Sequence, residues 1–233
     1  MSGTLYGVGL GPGDPELITR RAARLIEAAR VVAYPSLAGG ESFARAIAAD
    51  LIAPDAREIR MDVPMTRDRA PAQAAYDAGA AEIAAALEGG DDVVCLCEGD
   101  PFFYGSFMYL HARLAPRFTV RTVPGVTSLT ACAAAAAMPL AARNEVMTVL
   151  PGPLPDAALR DHLRAADTVI CMKVGRHLPR LRALLTAEGL LDAATYVERA
   201  TLGAERVMPL AEASDDAPYF SMILVAKGTD PWL

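Results

Sequence analysis

The chain has 233 residues, of which 53% are hydrophobic and 21% are charged, and this composition excludes an intrinsically disordered protein. The length is sufficient for one large domain, or two small ones, with a buried core. With 28 acidic against 22 basic residues, the net charge is −6, which argues against nucleic acid as the main partner because phosphate neutralisation needs a clustered basic surface.

No segment predicts a membrane span or a secretory signal. The longest apolar stretch, 129–142, contains Thr130 and Pro139 and is too short to cross a bilayer. The N-terminus has no basic region followed by an apolar one. We therefore expect a cytoplasmic protein without membrane or nucleic-acid partners.

Cysteine and histidine spacings indicate neither disulfides nor a metal site. The four cysteines are predicted to be buried thiols in a reducing cytosol: Cys95, Cys97, Cys132 and Cys171. The three histidines have no His or Cys at ligand spacing, so no metal is expected.

Strands and helices alternate along the chain. The first half predicts a strand over 5–9, a helix that Asp14 caps and Pro15 begins, a strand over 31–34, helices over 42–51 and 71–87, and strands over 92–97 and 118–123. The second half predicts a helix over 128–137, then strands over 146–150, 168–172, 195–197 and 220–226, with helices over 156–165 and 178–188 between them. This alternation predicts an α/β protein, and the all-apolar strand 92–97 is typical of the middle of a parallel sheet. The Ala115-Pro116-Arg117 segment suggests a boundary between domains 1–115 and 116–233.

The first loop of interest, Gly7 to Pro15, is rich in glycine but is not a dinucleotide fingerprint. Read from Gly7 or from Gly9, the G-x-G-x-x-G pattern places Pro12 or Asp14 at its last glycine. The two prolines remove N–H donors, and the acidic residues oppose a phosphate at the start of a helix. The loop therefore does not suit a pyrophosphate, and a tight strand-to-helix turn without a ligand remains an alternative.

Two further loops follow predicted strands. The segment Glu98 to Ser106 combines two glycines, the carboxylate of Asp100 and three consecutive aromatic residues that can wall a flat ligand or enter the core. The segment Val123 to Ser128 ends in hydroxyls that can cap the next helix or meet a ligand.

Together these loops resemble the ordered motifs of the tetrapyrrole (corrin/porphyrin) methyltransferase family. The matching segments cover nearly the whole chain: Gly7 to Thr19, Gly99-Asp100-Pro101, Pro124 to Ser128, Met172-Lys173, and Tyr196 to Thr201. The resemblance implies two α/β domains, a homodimer, and S-adenosylmethionine in the cleft between the domains, with S-adenosylhomocysteine as product. By position in the motifs it implies eight donor contacts: Pro12, Gly99, Asp100, Phe103, Thr127, Ser128, Met172 and Ala200. Asp100 would accept from the amino group or a hydroxyl, and the apolar residues would pack on adenine or ribose.

Other residues resemble one branch of this family, which methylates C20 of the tetrapyrrole precorrin-2 in cobalamin synthesis. They are Tyr34-Pro35, Glu98 to Ser106, and Ala131 to Ala141. Substrate contacts are then expected from Tyr34, Tyr104 and Arg143, because the substrate carries carboxylates and a flat macrocycle, although the two tyrosines can instead complete the core. Arg67 and Arg69 are further candidates, and each arginine can also be a solvated surface residue. After methyl transfer a proton must leave C20, either to solvent or to a nearby carboxylate such as Glu98.

One departure and several alternatives remain. The uroporphyrinogen methylases of the family have an acidic residue after the second strand, where this chain reads Ala33-Tyr34-Pro35-Ser36. The alternatives are a cobalt-containing substrate, another tetrapyrrole methylase such as the uroporphyrinogen-III enzyme, a nicotinamide-dependent oxidoreductase, and a binding module without turnover.

Overall fold

The computed structural model describes residues 2–64 and 68–227 and divides the chain into two compact units, residues 1–127 and 128–233. The sequence placed this division at 115/116. The division lies later because the strand over 119–123 pairs with the first strand of the chain and so belongs to the first unit.

The first unit is a parallel five-stranded sheet with helices between its strands. Its elements are β1 Thr4–Gly9, α1 Arg20–Glu27, β2 Val31–Leu37, α2 Phe43–Ile47, β3 Arg57–Val63, α3 Ala70–Glu88, β4 Val93–Cys97, α4 Phe107–Leu114 and β5 Thr119–Val123. The strand order is β3-β2-β4-β1-β5, with every pair parallel. This order differs from the 3-2-1 order of the dinucleotide-binding half-domain.

The predicted central strand is confirmed. All five residues of β4 are buried, and β4 lies between β2 and β1. Because successive side chains of a strand point to opposite faces, Cys95 and Cys97 pack into the core on one side of the sheet, and Val94 and Leu96 into the core on the other.

The second unit has a mixed sheet. Its elements are α5 Ser128–Ala135, β6 Met147–Pro151, α6 Asp156–Ala165, β7 Thr168–Met172, α7 Leu178–Ala187, β8 Ala194–Glu198, β9 Arg206–Pro209 and β10 Ser221–Ala226. The order is β6-β7-β10-β8-β9; β6 and β7 are parallel, and β10 runs antiparallel to both β7 and β8. The carboxyl ends of β6, β7 and β8 therefore share one edge with the start of β10.

Some element boundaries differ from the sequence predictions. The helix predicted from Asp14 is wrong in its start: residues 15–17 form only a short 3-10 turn, and α1 begins at Arg20 with the Thr19 hydroxyl accepting from the Ala22 amide. The predicted helix 42–51 divides into α2 and a second 3-10 turn at 49–51. The sequence analysis missed α4, β3 and β9.

The four cysteines are confirmed as buried free thiols. Within the described part of the chain, no cluster of His, Cys, Asp and Glu is arranged to hold a metal ion, and no helix is both long and apolar enough to cross a membrane.

Candidate functional site

The three loops singled out in the first unit follow three adjacent strands. In the sheet β1 lies between β4 and β5, with Gly9 beside Cys97 and Val8 beside Val123. Parallel strands present their carboxyl ends at one edge, which is where open α/β sheets bind ligands. The loops after β1, β4 and β5 therefore meet at that edge.

Three glycines bring the backbones of these loops into contact; we call Gly9, Gly99 and Gly125 the glycine junction. A Cβ on Gly125 would lie 2.1 Å from the Gly99 carbonyl oxygen, and a Cβ on Gly9 would lie 2.6 Å from the Gly125 nitrogen. Gly99 has φ +64, which glycine adopts without strain. A pair of hydrogen bonds also joins Gly11 and Gly99, with the Gly99 amide 2.8 Å from the Gly11 carbonyl oxygen. Only glycine permits this approach.

Asp100 connects two of the loops through its carboxylate. One oxygen, Oδ1, accepts from the amides of Phe102 (2.9 Å) and Phe103 (3.1 Å), and Oδ2 accepts from the Gly125 amide (3.1 Å). Three amides thus converge on one partly buried carboxylate. The sequence analysis predicts that this carboxylate accepts a hydrogen bond from S-adenosylmethionine. The structure shows another role, which is to hold the second and third loops together.

The first loop has the form of a turn without a phosphate cradle. Gly11 has φ +82, Pro12 is partly buried, and the Asp14 carboxylate accepts from the Glu16 amide. Because α1 begins only at Arg20, the loop does not lie at the first turn of an α-helix, where amides would face a phosphate.

The aromatic residues after Asp100 differ in their exposure. Phe103 is partly buried and packs edge-to-face on Tyr104, with ring centroids 5.2 Å apart. Tyr104 is 43% exposed and has φ +56, an uncommon backbone conformation for a bulky residue. Phe102 is also exposed and contacts His111 on α4. Thus Phe103 and Tyr104 lie on the loop after β4, which contributes Gly99 to the glycine junction, and not in the core.

Thr127 and Ser128 lie where the first unit ends. Thr127 immediately precedes α5, whose first residue is Ser128, and both residues are partly buried. The structure therefore places them at the start of a helix, as the capping alternative also predicts.

In the second unit Met172 and Ala200 lie at the shared carboxyl edge of the sheet. Met172 ends β7 and Ala200 follows β8, and both are buried. The neighbouring Lys173, Arg199 and Thr201 all have positive φ, so both loops turn sharply as they leave the sheet.

A buried polar network supports the loop after β8, and the sequence analysis missed it. The Tyr196 hydroxyl donates to Glu198 (2.8 Å), whose other oxygen lies 3.4 Å from Arg206 Nη1. Burial, together with this hydrogen bond, raises the pKa of Tyr196. The sequence signal for this network is the pair Tyr196 and Glu198, because a strand directs residues two apart to the same face.

Tyr34 lies in the core and not on an open surface. It is 6% exposed, and its hydroxyl donates to Glu58. The Glu58 carboxylate also forms a bidentate ion pair with Arg45. Burial and the neighbouring carboxylate raise the pKa of Tyr34. Tyr34 thus matches the alternative prediction, in which it completes the core.

Replacing Tyr34 by phenylalanine is expected to lower stability without impairing catalysis. Loss of the bond to Glu58 should cost about 1–2 kcal/mol, since one partner is charged, while kcat/KM should change by less than about twofold. Thermal unfolding and initial rates measure the two effects, with Glu58→Gln as the matched variant from the same bond. A tenfold loss of kcat/KM at unchanged stability would instead place Tyr34 at the substrate.

The candidate substrate arginines lie in separate places. Arg143 is exposed, with φ +48, on the loop after α5, and Arg69 is exposed immediately before α3. Arg67 lies outside the described residues.

Glu98 follows β4 directly and is partly buried. Burial raises the pKa of its carboxyl, and a hydrogen bond from the Ala44 amide offsets part of that rise. It is thus a desolvated carboxyl beside the glycine junction.

Comparison with known proteins places this geometry in a context. The family described as Tetrapyrrole (Corrin/Porphyrin) Methylases matches residues 4–214. A precorrin-2 C(20)-methyltransferase from Sinorhizobium sp is 44% identical over 98% of this chain and 97% of its own, and a cobalt-precorrin-2 C(20)-methyltransferase from Salmonella typhimurium is 36% identical over 97% and 98%. The crystal structure of a Thermus thermophilus uroporphyrin-III C-methyltransferase with S-adenyl homocysteine superposes with a TM-score of 0.68 at 26% identity, covering 97% of this chain and 92% of that one.

Proposed function

This chain belongs to the tetrapyrrole (corrin/porphyrin) methylases, and we propose that it transfers a methyl group from S-adenosylmethionine to C20 of precorrin-2 in cobalamin biosynthesis, giving precorrin-3A and S-adenosylhomocysteine. The observation that carries the proposal is the 44% identity, over 98% of the chain, to the Sinorhizobium precorrin-2 C(20)-methyltransferase.

The residues at the two sheet edges suit a nucleoside that carries no phosphate. On the first unit the donor contacts are proposed to be Pro12, Gly99, Asp100, Phe103 and Thr127, and on the second unit Ser128, Met172 and Ala200. At Gly99 no atom lies within 4 Å of an added Cβ, so the backbone of the glycine junction is open there. The first loop lacks the amides and the helix start that a phosphate requires.

When bound, S-adenosylmethionine supplies a methyl group on a sulfonium, a good leaving group for in-line displacement. The residues of this chain then have mainly to position the two reactants and exclude water. The loops after β1, β4 and β5 are preorganised, because backbone hydrogen bonds and the Asp100 carboxylate hold them together. We propose Tyr104 and Arg143 as contacts to the macrocycle and its carboxylates, since both are exposed on loops. Tyr34 is not proposed as a substrate contact, because its hydroxyl is bound to Glu58 in the core.

Two alternatives lose support. Where the uroporphyrinogen methylases have an acidic residue, this chain has Ala33-Tyr34-Pro35-Ser36, of which Ser36 is buried and donates to the Gly40 carbonyl. A nicotinamide-dependent oxidoreductase is disfavoured by the family match and by the order of the strands in the first sheet.

The test of this proposal is the position of the transferred methyl group. Purified protein with precorrin-2 and 13C-methyl-labelled donor is expected to place the label at C20, as read by NMR. Label at C2 or C7 would identify a uroporphyrinogen-type activity instead. Binding of both ligands without transfer would make the protein a binding module.

A second candidate substrate is the cobalt-containing precorrin-2, because the Salmonella relative of that name also aligns over nearly the full chain. The metal would be carried by the macrocycle and would need no protein ligand. We expect a higher kcat/KM for the metal-free substrate, in line with the higher identity of the Sinorhizobium relative. Parallel assays with the two substrates decide between them.

We also propose a cytoplasmic homodimer. Four buried free thiols suit a reducing compartment, and the family resemblance implies a dimer. Sedimentation equilibrium should give twice the chain mass.

A further inference from the structure

Glu98 follows β4 at a point where β4 is no longer paired with β2. Pairing between β2 and β4 ends at Ala33 beside Cys95, although β2 continues to Leu37 and β4 to Cys97. The two strands therefore separate before they reach their carboxyl ends, and Glu98 follows β4 at the point where they are apart. Crevices of this kind, outside the carboxyl ends of the strands, are the usual ligand sites of open α/β sheets.

The side chain of Glu98 points to the α2 side of the sheet. By strand alternation it shares a face with Val94 and Leu96, whose core also contains Tyr34 and residues of α2. On that side the backbone amide of Ala44, the second residue of α2, lowers the pKa of the carboxyl against the larger rise from burial.

The charged and titratable groups around Glu98 leave it without a counter-ion. Arg45 on α2 and Tyr34 on β2 both bind Glu58, and Cys97 on β4 has its pKa raised to about 11 by burial. Asp100 uses its carboxylate on three amides, and Glu41, before α2, is exposed. Within the described residues, no cation pairs with Glu98 and no charge contributes to the shift of its pKa. A partly buried carboxyl without a cation is uncommon, and the fold uses it for one amide contact only.

We propose that Glu98 is the general base of the reaction, which removes the proton from C20 after methyl transfer; this inference rests on the proposed function. Its position immediately before Gly99 places it at the sheet edge that holds the donor contacts of the first unit. A desolvated carboxyl with a raised pKa is a stronger base than an ordinary glutamate.

Methyl transfer and proton loss are two successive steps. A π electron pair of the macrocycle forms the C20–CH3 bond while the S–CH3 bond breaks, and the sulfonium leaves as a neutral thioether. C20 then carries both a methyl group and hydrogen, and the ring carries one positive charge. The Glu98 carboxylate takes the proton, and the C–H electron pair restores the conjugation. Water entering after product release accepts the proton from Glu98.

The experiment compares Glu98→Gln with the wild type and with Glu88→Gln, which removes an exposed carboxyl paired with Arg117. Glu98→Gln is expected to lower kcat about 10²–10⁴-fold, with the Kd of S-adenosylhomocysteine unchanged. The wild-type kcat/KM should fall on the acid side of a pKa above 4.5, and this acid limb should be absent in Glu98→Gln. Glu88→Gln should keep both the rate and the limb.

A second readout uses the protein without substrate. Because the folded state holds the Glu98 proton more tightly than the unfolded state, the free energy of unfolding falls as the pH rises from the unfolded pKa through the folded pKa. Glu98→Gln removes this loss, so its thermal midpoint should exceed that of the wild type at pH 8 and match it at low pH. A variant that is more stable and yet inactive separates a catalytic from a structural role.

Two results would overturn the assignment while leaving the proposed function intact: labelling of C20 by Glu98→Gln at the wild-type rate, or an acid limb that persists in that variant. Absence of C20 labelling by the wild type would instead overturn the proposed function itself. If Glu98→Gln does not fold, Glu98→Asp serves, because it retains the carboxyl one methylene further back. At least a tenfold loss of kcat with the acid limb retained supports the base, and an unchanged kcat contradicts it.

Discussion

Gly125→Ala is expected to lower the thermal midpoint by about 6–12 °C and to abolish measurable binding of S-adenosylhomocysteine. The new Cβ would lie 2.1 Å from the Gly99 carbonyl oxygen and 2.9 Å from the Gly9 carbonyl carbon, both backbone atoms, so whole loops must move to relieve the overlap. Overpacking of this kind costs about 3 kcal/mol, and each kcal/mol lowers the midpoint of a chain of this size by about 2–4 °C.

The matched control for this variant is Gly40→Ala in the same unit. There the nearest atom to an added Cβ is the Leu37 Cβ at 3.5 Å, an ordinary contact, and no strained φ is required. Differential scanning calorimetry and isothermal titration measure both variants. Wild-type affinity in a folded Gly125→Ala variant would show that the glycine junction does not shape the donor site.

Asp100→Ala is expected to weaken S-adenosylhomocysteine binding about 100-fold and to lower stability by about 2–4 kcal/mol. The substitution leaves three amides without their acceptor, those of Phe102, Phe103 and Gly125. The loops after β4 and β5 then lose their side-chain connection, and the affinity falls through misplaced backbone in addition to any lost contact with the donor.

Asp100→Asn separates the connecting role from a contact with the donor. The asparagine oxygen can still accept from Phe102 and Phe103, but its amide group would face the Gly125 N–H, donor against donor. We expect a stability loss between those of the wild type and the alanine variant. Asp77→Ala, which removes an exposed partner of Arg113, should change neither property. Full affinity in Asp100→Ala would remove Asp100 from the site.

The two substitutions should not be additive. Gly125 and Asp100 share one hydrogen bond, so the double variant is expected to lose less stability than the sum of the two single variants. Additive losses would indicate that the glycine junction and the carboxylate act independently.

Local patterns were sufficient for most elements of the fold. The apolar run of β4 predicted a central parallel strand because a strand covered on both faces needs no polar side chains. Missed elements also carried signals: β3 alternates Ile59 and Met61 with charged residues, and α4 places Phe107, Leu110 and Leu114 at helical spacing. β3 is only seven residues long and carries four charged residues, which weakened its pattern, and α4 is only eight residues long.

By itself the sequence determined the α/β class, the three loops at strand ends and the likeness to the methylase family, because these depend on residues close together in the chain. Tertiary structure alone decided that Gly9, Gly99 and Gly125 touch, that Asp100 binds three amides, that Tyr34 faces Glu58 and that Glu98 lies where β2 and β4 separate. The physical reason is that strand order brings together backbones far apart in the chain, and the desolvation of a carboxyl depends on every element packed around it.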